Sequence, residues 1–310
     1  MPFYLRAILD LFLPRECLAC GCRLGLRERH LCLACAADVP YTYHWLSAHN
    51  PLADRFNAVL ERHRPADERM DYAYAVALMH YKGPCRAIPR ALKYHGDLAA
   101  GRFYGGLLGR RLASAPHFAD VDLIIPVPLH WTRRRSRGYN QAEILAQAIC
   151  DAFCHSEETE GRRKNLPSSV QCRTDILFRA RRTRTQTKLT VEQKARNVAS
   201  AFQVSFAPSR RDATSHPQHD QTPHPLLDAL LRPWLDALRH SRLDVFRHSR
   251  LDRESPQETL ARARHILIVD DTFTTGATLY ACYAALRPYT SARISIATLA
   301  AVEGTPSSGP

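Results

Sequence analysis

The chain lacks several features that mark common functional classes. It contains no window of about eighteen uncharged apolar residues, so a membrane span is not supported. Residues 1–13 are apolar but are broken by Arg6 and Asp10, and no small-residue cleavage site follows. We therefore expect a short amphipathic helix there and not a signal peptide. The absence of Gly-Lys-Ser/Thr and GxGxxG sequences excludes a P-loop and a dinucleotide-binding fingerprint.

The composition is that of a globular protein with a basic surface. The 310 residues are 45% hydrophobic and 24% charged, and the formal net charge is +13. This length predicts one principal domain with a small accessory one. A surplus of positive charge attracts phosphates, nucleotides or nucleic acid, although solubility alone is an equally good explanation of it.

The ten cysteines are unevenly distributed, with a tight cluster near the N-terminus. Two CxxC pairs, Cys17 with Cys20 and Cys32 with Cys35, are separated by a short loop, which is typical of a structural Zn²⁺ site that four thiolates close. Cys22 offers a fifth sulfur and leaves the choice of ligands open. The remaining cysteines are scattered singly, which favours a cytoplasmic chain with a metal site over a secreted disulfide framework.

One stretch near the C-terminus carries the strongest chemical signal. The β-branched run 266–269 ends in Asp270 and Asp271, and a Thr/Gly turn then opens into an apolar segment that favours a helix. Free N–H groups at a helix N-terminus bind anions, and Gly276 permits close approach of a phosphate. Paired carboxylates at the end of a strand suit the vicinal hydroxyls of a ribose. Additional hydroxyl donors are Thr274, Thr275 and Thr278. The pattern therefore predicts a sugar-phosphate site.

A second stretch, residues 120–141, has a related organisation. The apolar run 121–126 predicts a buried strand, and the Pro-Val-Pro-Leu-His sequence of 126–130 predicts a rigid loop at its carboxyl end. Arginines follow closely and supply positive charge for a phosphate group. Asn140 is placed to cap the next helix.

These motifs resemble known ones. Residues 269–278 look like the phosphoribosyl-pyrophosphate (PRPP) loop of type I phosphoribosyltransferases, and 126–130 resembles the pyrophosphate loop of the same enzymes. Two further matches, Leu92-Lys-Tyr-His-Gly96 and Arg137-Gly-Tyr-Asn-Gln141, are similar to the ComF subfamily. This resemblance implies an α/β fold with a mostly parallel sheet flanked by helices, plus an N-terminal zinc-ribbon-like module.

The resemblance also implies a set of site residues. Asp270 and Asp271 are the expected catalytic pair and hold the ribose, while Mg²⁺ is held largely by PRPP itself. The residues expected to bind PRPP are Thr272, Thr274, Thr275, Gly276, Ala277, Thr278, Pro126, Val127, Pro128, Leu129 and Arg137. A mobile loop that excludes water from the reaction is expected within 176–202.

We expect four regions along the chain. Residues 1–40 hold the helix and zinc module, and 41–120 form a connector and hood that includes a small antiparallel or hairpin piece at 73–83. Residues 121–206 and 264–303 form the phosphoribosyltransferase-like core. Residues 207–263, with Leu-Asp repeated every eight residues, form a duplicated insertion that is partly helical or disordered. The tail, 304–310, is expected to be disordered.

Two functions are compatible with this pattern. The first is an Mg²⁺-dependent phosphoribosyltransferase that acts by positioning and electrostatic stabilisation. The alternative is a non-catalytic module that senses PRPP or a nucleotide and binds single-stranded DNA, since ComF proteins are associated with DNA uptake in transformation. The sequence specifies neither the acceptor substrate nor the oligomeric state.

Overall fold

A computed structural model describes residues 10, 14–64, 71–160, 170–180, 201–205 and 254–303 of the chain. The helices in this part are α1 (Leu33–Ala37), α2 (Pro51–Glu61), α3 (Ala87–Arg90), α4 (Leu98–Ala113), α5 (Trp131–Arg137), α6 (Gln141–Glu160), α7 (Pro256–Arg262) and α8 (Ala277–Leu286). The strands are β1 (Ala75–His80), β2 (Leu123–Pro126), β3 (Gln171–Cys172), β4 (Leu177–Arg179), β5 (Phe202–Val204), β6 (His265–Phe273) and β7 (Arg293–Ala301). A π-helical turn, Ala91–His95, continues α3, and short 3-10 turns occupy His44–Leu46, Gly83–Arg86, Pro116–Phe118 and Arg287–Tyr289.

The principal sheet has five strands in the order β1-β7-β6-β2-β3, and every neighbouring pair is parallel. β4 and β5 form a separate antiparallel pair. The mostly parallel sheet with helices on its faces confirms the α/β class that the sequence predicts.

The central strand β6 is buried on both faces, and its side chains alternate between two cores. Leu267 and Val269 belong to one core, which also contains residues of α4 and α6. Ile266 and Ile268 belong to the other, which contains residues of α2 and α8. This arrangement explains the unbroken apolar run, because a strand covered on both sides needs no polar face.

The close packing of α4 on α6 depends on glycine. A Cβ atom at Gly105 would lie 3.0 Å from Ala148 Cβ, and one at Gly109 would lie 2.7 Å from Ala152 Cβ. Larger residues at these two positions would push the helices apart and weaken the first core.

The prediction for residues 73–83 is wrong. This segment does not form a hairpin; its strand β1 pairs in parallel with β7, and only the bridge between Tyr41 and Met79 is antiparallel. A continuous apolar run does not by itself specify the partner or direction of a strand.

Some predictions fall outside the described residues. These are most of the helix at 1–13, the larger part of the mobile loop and of the insertion 207–263, and the tail 304–310. The chain divides into one unit formed by 1–205 and 260–310 and a second formed by 206–259. The four predicted regions stay a prediction. Among the helices of the described residues, none combines the length and apolar character needed to cross a bilayer.

Candidate functional site

The predicted sugar-phosphate residues lie where two neighbouring strands diverge. β2 and β6 are paired, but α6, which follows β2, packs in one core and α8, which follows β6, packs in the other. Adjacent parallel strands whose following helices cover opposite faces form a switch point, and the crevice beyond their carboxyl ends is the usual ligand position in such sheets.

The two acids lie within β6 and not beyond its end, which differs from the sequence-based expectation. The strand continues to Phe273 because β7 pairs with it as far as Ala301. On the other side, the pairing with β2 stops at Val269. Asp270 and Asp271 therefore lie just beyond the last residue of β6 that pairs with β2. Because side chains alternate along a strand, the two acids point to opposite faces of the sheet.

Asp271 is buried, with 4% of its surface exposed. Its Oδ2 atom lies 2.5 Å from Lys93 Nζ and accepts a hydrogen bond of 2.9 Å from the Thr272 hydroxyl. The Lys93 ammonium supplies the charge compensation that a buried carboxylate requires.

Asp270 is half-buried, and its Oδ1 atom accepts the N–H of Asp271 at 2.8 Å. Burial and the neighbouring Asp271 carboxylate raise the pKa of Asp270 to about 8. Because like charges this close disfavour double ionisation, the acid pair retains a proton near neutral pH. Such a perturbed pair in a crevice is a typical property of functional sites.

The turn after the acids needs glycine at one position. Gly276 has φ of +80°, and a Cβ atom there would lie 2.9 Å from the Phe273 ring. This backbone leads directly into α8, which begins at Ala277, while Thr274 and Thr275 are exposed. The turn thus presents hydroxyls and the N-terminus of a ten-residue helix to solvent, which is a suitable arrangement for a phosphate.

Arg55 of α2 holds the backbone of this turn through hydrogen bonds. Its guanidinium donates to the carbonyl of Thr274 at 3.0 Å and to that of Val302 at 2.6 Å, and it lies 5.1 Å from the centre of the Phe273 ring. A rigid planar donor group can hold two carbonyls at once. The sequence gives no signal for this role.

The loop 126–130 is fixed to both neighbouring elements. The Val127 N–H donates to the Val269 carbonyl at 2.8 Å, and the Val127 carbonyl accepts from Asn140 Nδ2 at 3.0 Å. Asn140 Oδ1 also accepts the N–H of Ala142, as predicted for a cap, at 3.2 Å. Because Pro126 and Pro128 have no N–H and that of Val127 is engaged, the amide of Leu129 is the candidate anion donor of this loop.

An aromatic and cationic pair borders the same loop. Arg137, at the end of α5, donates to Gln141 Oε1 at 2.6 Å, and its guanidinium carbon lies 5.8 Å from the centre of the Tyr94 ring. The Tyr94 ring is 72% exposed, which makes it available for stacking and not part of the core.

Further positive charge lies near Asp270. Burial and the nearby Arg133 lower the pKa of Arg179 below its ordinary value, and the Asp270 carboxylate opposes them only in part. Arg179 also packs on Phe202 at 5.1 Å from the ring centre. Arg179 ends β4 and lies within the segment 176–202, which is predicted to contain the mobile loop.

The N-terminal cysteines converge. The sulfurs of Cys17, Cys20, Cys22 and Cys32 all lie within 4.8 Å of one another. Burial raises the pKa of Cys17, but hydrogen bonds from backbone N–H groups outweigh it and lower the pKa to about 6, which favours the thiolate that a metal binds. Hydrogen bonds with the thiols of Cys32, Cys20 and Cys17 raise the pKa of Cys35, so this fifth sulfur lies beside the same group. The cluster could hold a metal ion such as Zn²⁺, for which either Cys22 or Cys35 would supply the fourth sulfur.

The chain was compared with known proteins. No family model matches it. It is 26% identical over 212 residues to Competence protein F of Haemophilus influenzae, an alignment that covers 65% of this chain and 83% of that protein. This similarity supports a ComF family relationship for the chain.

Proposed function

We propose that the chain is a PRPP-binding, phosphoribosyltransferase-like protein of ComF type. The observation that carries this proposal is the acid pair Asp270 and Asp271 at the switch point, followed by a glycine-dependent turn into α8. In the proposed complex the ribose diol binds the acids and the 5′-phosphate binds the turn 274–278. The pyrophosphate binds the loop 126–130 and Arg137, with Mg²⁺ held mainly by PRPP oxygens.

The chain's own groups would act by position and charge. Carboxylates accept hydrogen bonds from both ribose hydroxyls, while arginines near the departing pyrophosphate stabilise its developing charge. No covalent nucleophile is needed. The exposed Tyr94 ring beside Arg137 is the proposed stacking surface for an acceptor base.

Calorimetry with Mg²⁺ and PRPP tests the proposal. We expect saturable binding to the natural chain and a loss of at least about tenfold in affinity for Asp271→Ala, because hydrogen bonds to charged groups are removed. Asp71→Ala, at an exposed position, is the matched control and should bind normally. A folded chain that gives no heat with Mg²⁺ and PRPP would refute the proposal.

A second candidate is a non-catalytic sensor of PRPP or a nucleotide that also binds single-stranded DNA. The net charge of +13 and the name of the relative, a competence protein, favour it. Release of pyrophosphate from PRPP with a panel of bases separates the two candidates. Turnover that Asp271→Ala abolishes supports the transferase, whereas PRPP binding without turnover, together with salt-sensitive oligonucleotide binding, supports the sensor.

We further propose that the cysteine cluster binds one structural Zn²⁺. Metal analysis of the purified chain should find one zinc per chain. Cys22→Ser and Cys35→Ser form a matched pair, and the variant that loses zinc identifies the fourth ligand. A purified chain without zinc that gains no stability when zinc is added would contradict this assignment.

A further inference from the structure

The segment that carries Lys93 has an unusual backbone. After α3 the chain forms a π-helical turn at Ala91–His95, which ends at Gly96 with φ of +67°. Leu92 is fully buried, and its carbonyl accepts a hydrogen bond from the Tyr139 hydroxyl. π-helical turns occur frequently at functional sites because the extra residue redirects the side chains around it.

Anchoring Leu92 in the core places the next side chain at the candidate site. The side chain of Lys93 is 26% exposed, and that of Asp271 is 6% exposed. Burial lowers the pKa of the Lys93 ammonium, but the Asp271 and Asp270 carboxylates outweigh burial and raise it, so the ammonium stays charged. A mostly buried lysine and a buried aspartate thus form a direct ion pair.

The geometry of this pair is one-sided. The closest contact of the Lys93 ammonium and the hydrogen bond from the Thr272 hydroxyl both fall on Oδ2 of Asp271. Two donors on one oxygen fix the rotation of the carboxylate and leave its second oxygen for another donor.

We propose that Lys93 is a positioning residue that orients Asp271 for one hydroxyl of a sugar phosphate, and thereby selects ligands that carry an intact vicinal diol. The inference rests on the proposed function and deepens it. Lys93 acts through Asp271 and not by contact with a phosphate. Removing the ammonium therefore weakens recognition of the sugar and leaves recognition of pyrophosphate intact.

The test measures four ligands on the full chain by calorimetry with Mg²⁺: PRPP, ribose 5-phosphate, 2-deoxyribose 5-phosphate and inorganic pyrophosphate. For Lys93→Met we expect roughly tenfold weaker binding of PRPP and ribose 5-phosphate, the scale of one hydrogen bond to a charged group. The preference for ribose over deoxyribose should fall towards one, while pyrophosphate binding stays within about twofold of the natural chain.

Two further variants keep the test decisive. Lys82→Met removes another ammonium, one that lies 2.7 Å from Glu303 on the surface, and should leave all four affinities unchanged. Asp271→Asn removes the carboxylate, and adding Lys93→Met to it leaves no unpaired charge. If Lys93 acts through Asp271, the second substitution causes no further loss.

The other outcomes overturn the inference in different ways. Loss of pyrophosphate binding with the sugar preference retained would show direct contact of Lys93 with the phosphates. Tighter binding by Lys93→Met would show that the lysine blocks the site. Additive losses in the double variant would separate Lys93 from Asp271. A folded natural chain that binds none of the four ligands would refute the proposed function, and the inference with it.

Discussion

Strand β6 carries a polar cluster near each end, and the two clusters are organised differently. At its start, His265 is fully buried, with Nδ1 2.6 Å from Asp120 Oδ1 and Nε2 2.8 Å from the Ser295 hydroxyl. The imidazole also stacks on the Phe118 ring at 6.1 Å. Near the other end, Asp271 forms a salt bridge with Lys93, while its neighbour Asp270 has no salt bridge within the part of the chain that the structure describes.

The difference distinguishes a structural cluster from a candidate functional cluster within the same strand. At the start of β6, both ring nitrogens of His265 have a hydrogen-bond partner, and fully satisfied buried networks make a structure rigid. The acids near the end repel each other and retain a proton, an arrangement that costs stability unless a ligand uses it. Substitutions in the two clusters should therefore affect stability with opposite signs.

The largest expected effect is that of His265→Ala. The substitution leaves a cavity beside Phe118 and removes the partners of Asp120 and Ser295, so we expect a loss of about 3 kcal/mol in the free energy of unfolding. Urea unfolding followed by circular dichroism measures it. His95→Ala, at an exposed position, is the control and should change this free energy by less than about 0.5 kcal/mol. Equal effects of the two substitutions would show that the first cluster is not structural.

Asp270→Asn should act in the opposite direction. The folded-state pKa of Asp270 is about 8, whereas the ordinary value is 3.8. The folded chain therefore holds a proton that the unfolded chain releases, and the stability of the natural chain falls as pH rises between these two values. We expect Asp270→Asn to raise the free energy of unfolding by about 1 kcal/mol or more at pH 8, and by less at pH 5.

Unfolding curves at both pH values, with Asp71→Asn as an exposed control, measure this gain. If Asp270→Asn follows the same pH dependence as the natural chain, the acid pair does not retain a proton. The contrast between the two ends of β6 would then be one of burial alone.

The sequence predicts those parts of the site that are local. The acids, the Thr/Gly turn and the CxxC pairs lie within short stretches whose chemistry depends on neighbours in the chain. The structure brings Cys17, Cys20 and Cys32 together, with Cys22 as the fourth sulfur of the group, and begins α8 directly after the turn. The buried run 266–269 predicts a covered strand for the same reason, since both of its faces must be apolar.

Contacts between residues far apart in the chain cannot be predicted from such local sequence patterns. Lys93 meets Asp271 only because the π-helical turn and the alternation of β6 place both side chains on one face of the sheet. Arg55 reaches the Thr274 carbonyl from a helix whose pattern shows only that one face is buried. The direction of β1 depends on its pairing with β7, which single-sequence periodicity does not encode.

The smallest expected effect is that of Asp120→Asn, and its pH dependence sharpens the comparison. The hydrogen bond from His265 lowers the pKa of Asp120 below its ordinary value. This carboxylate therefore stabilises the folded chain above that value, and the contribution is lost as pH falls through the lowered pKa.

The side chain of Asp120 is 51% exposed, and asparagine still accepts the hydrogen bond, so we expect a loss of less than about 1 kcal/mol in the free energy of unfolding at pH 7. Unfolding measured from neutral pH into the acid range should show the difference between the variant and the natural chain shrinking once the pH falls below the ordinary pKa of 3.8. Asp120 and Asp270 would then change the stability of the same chain in opposite directions with pH, because one carboxylate has a donor that stabilises its charge and the other has a like charge beside it. A deficit that persists unchanged at low pH would instead assign the role of Asp120 to packing.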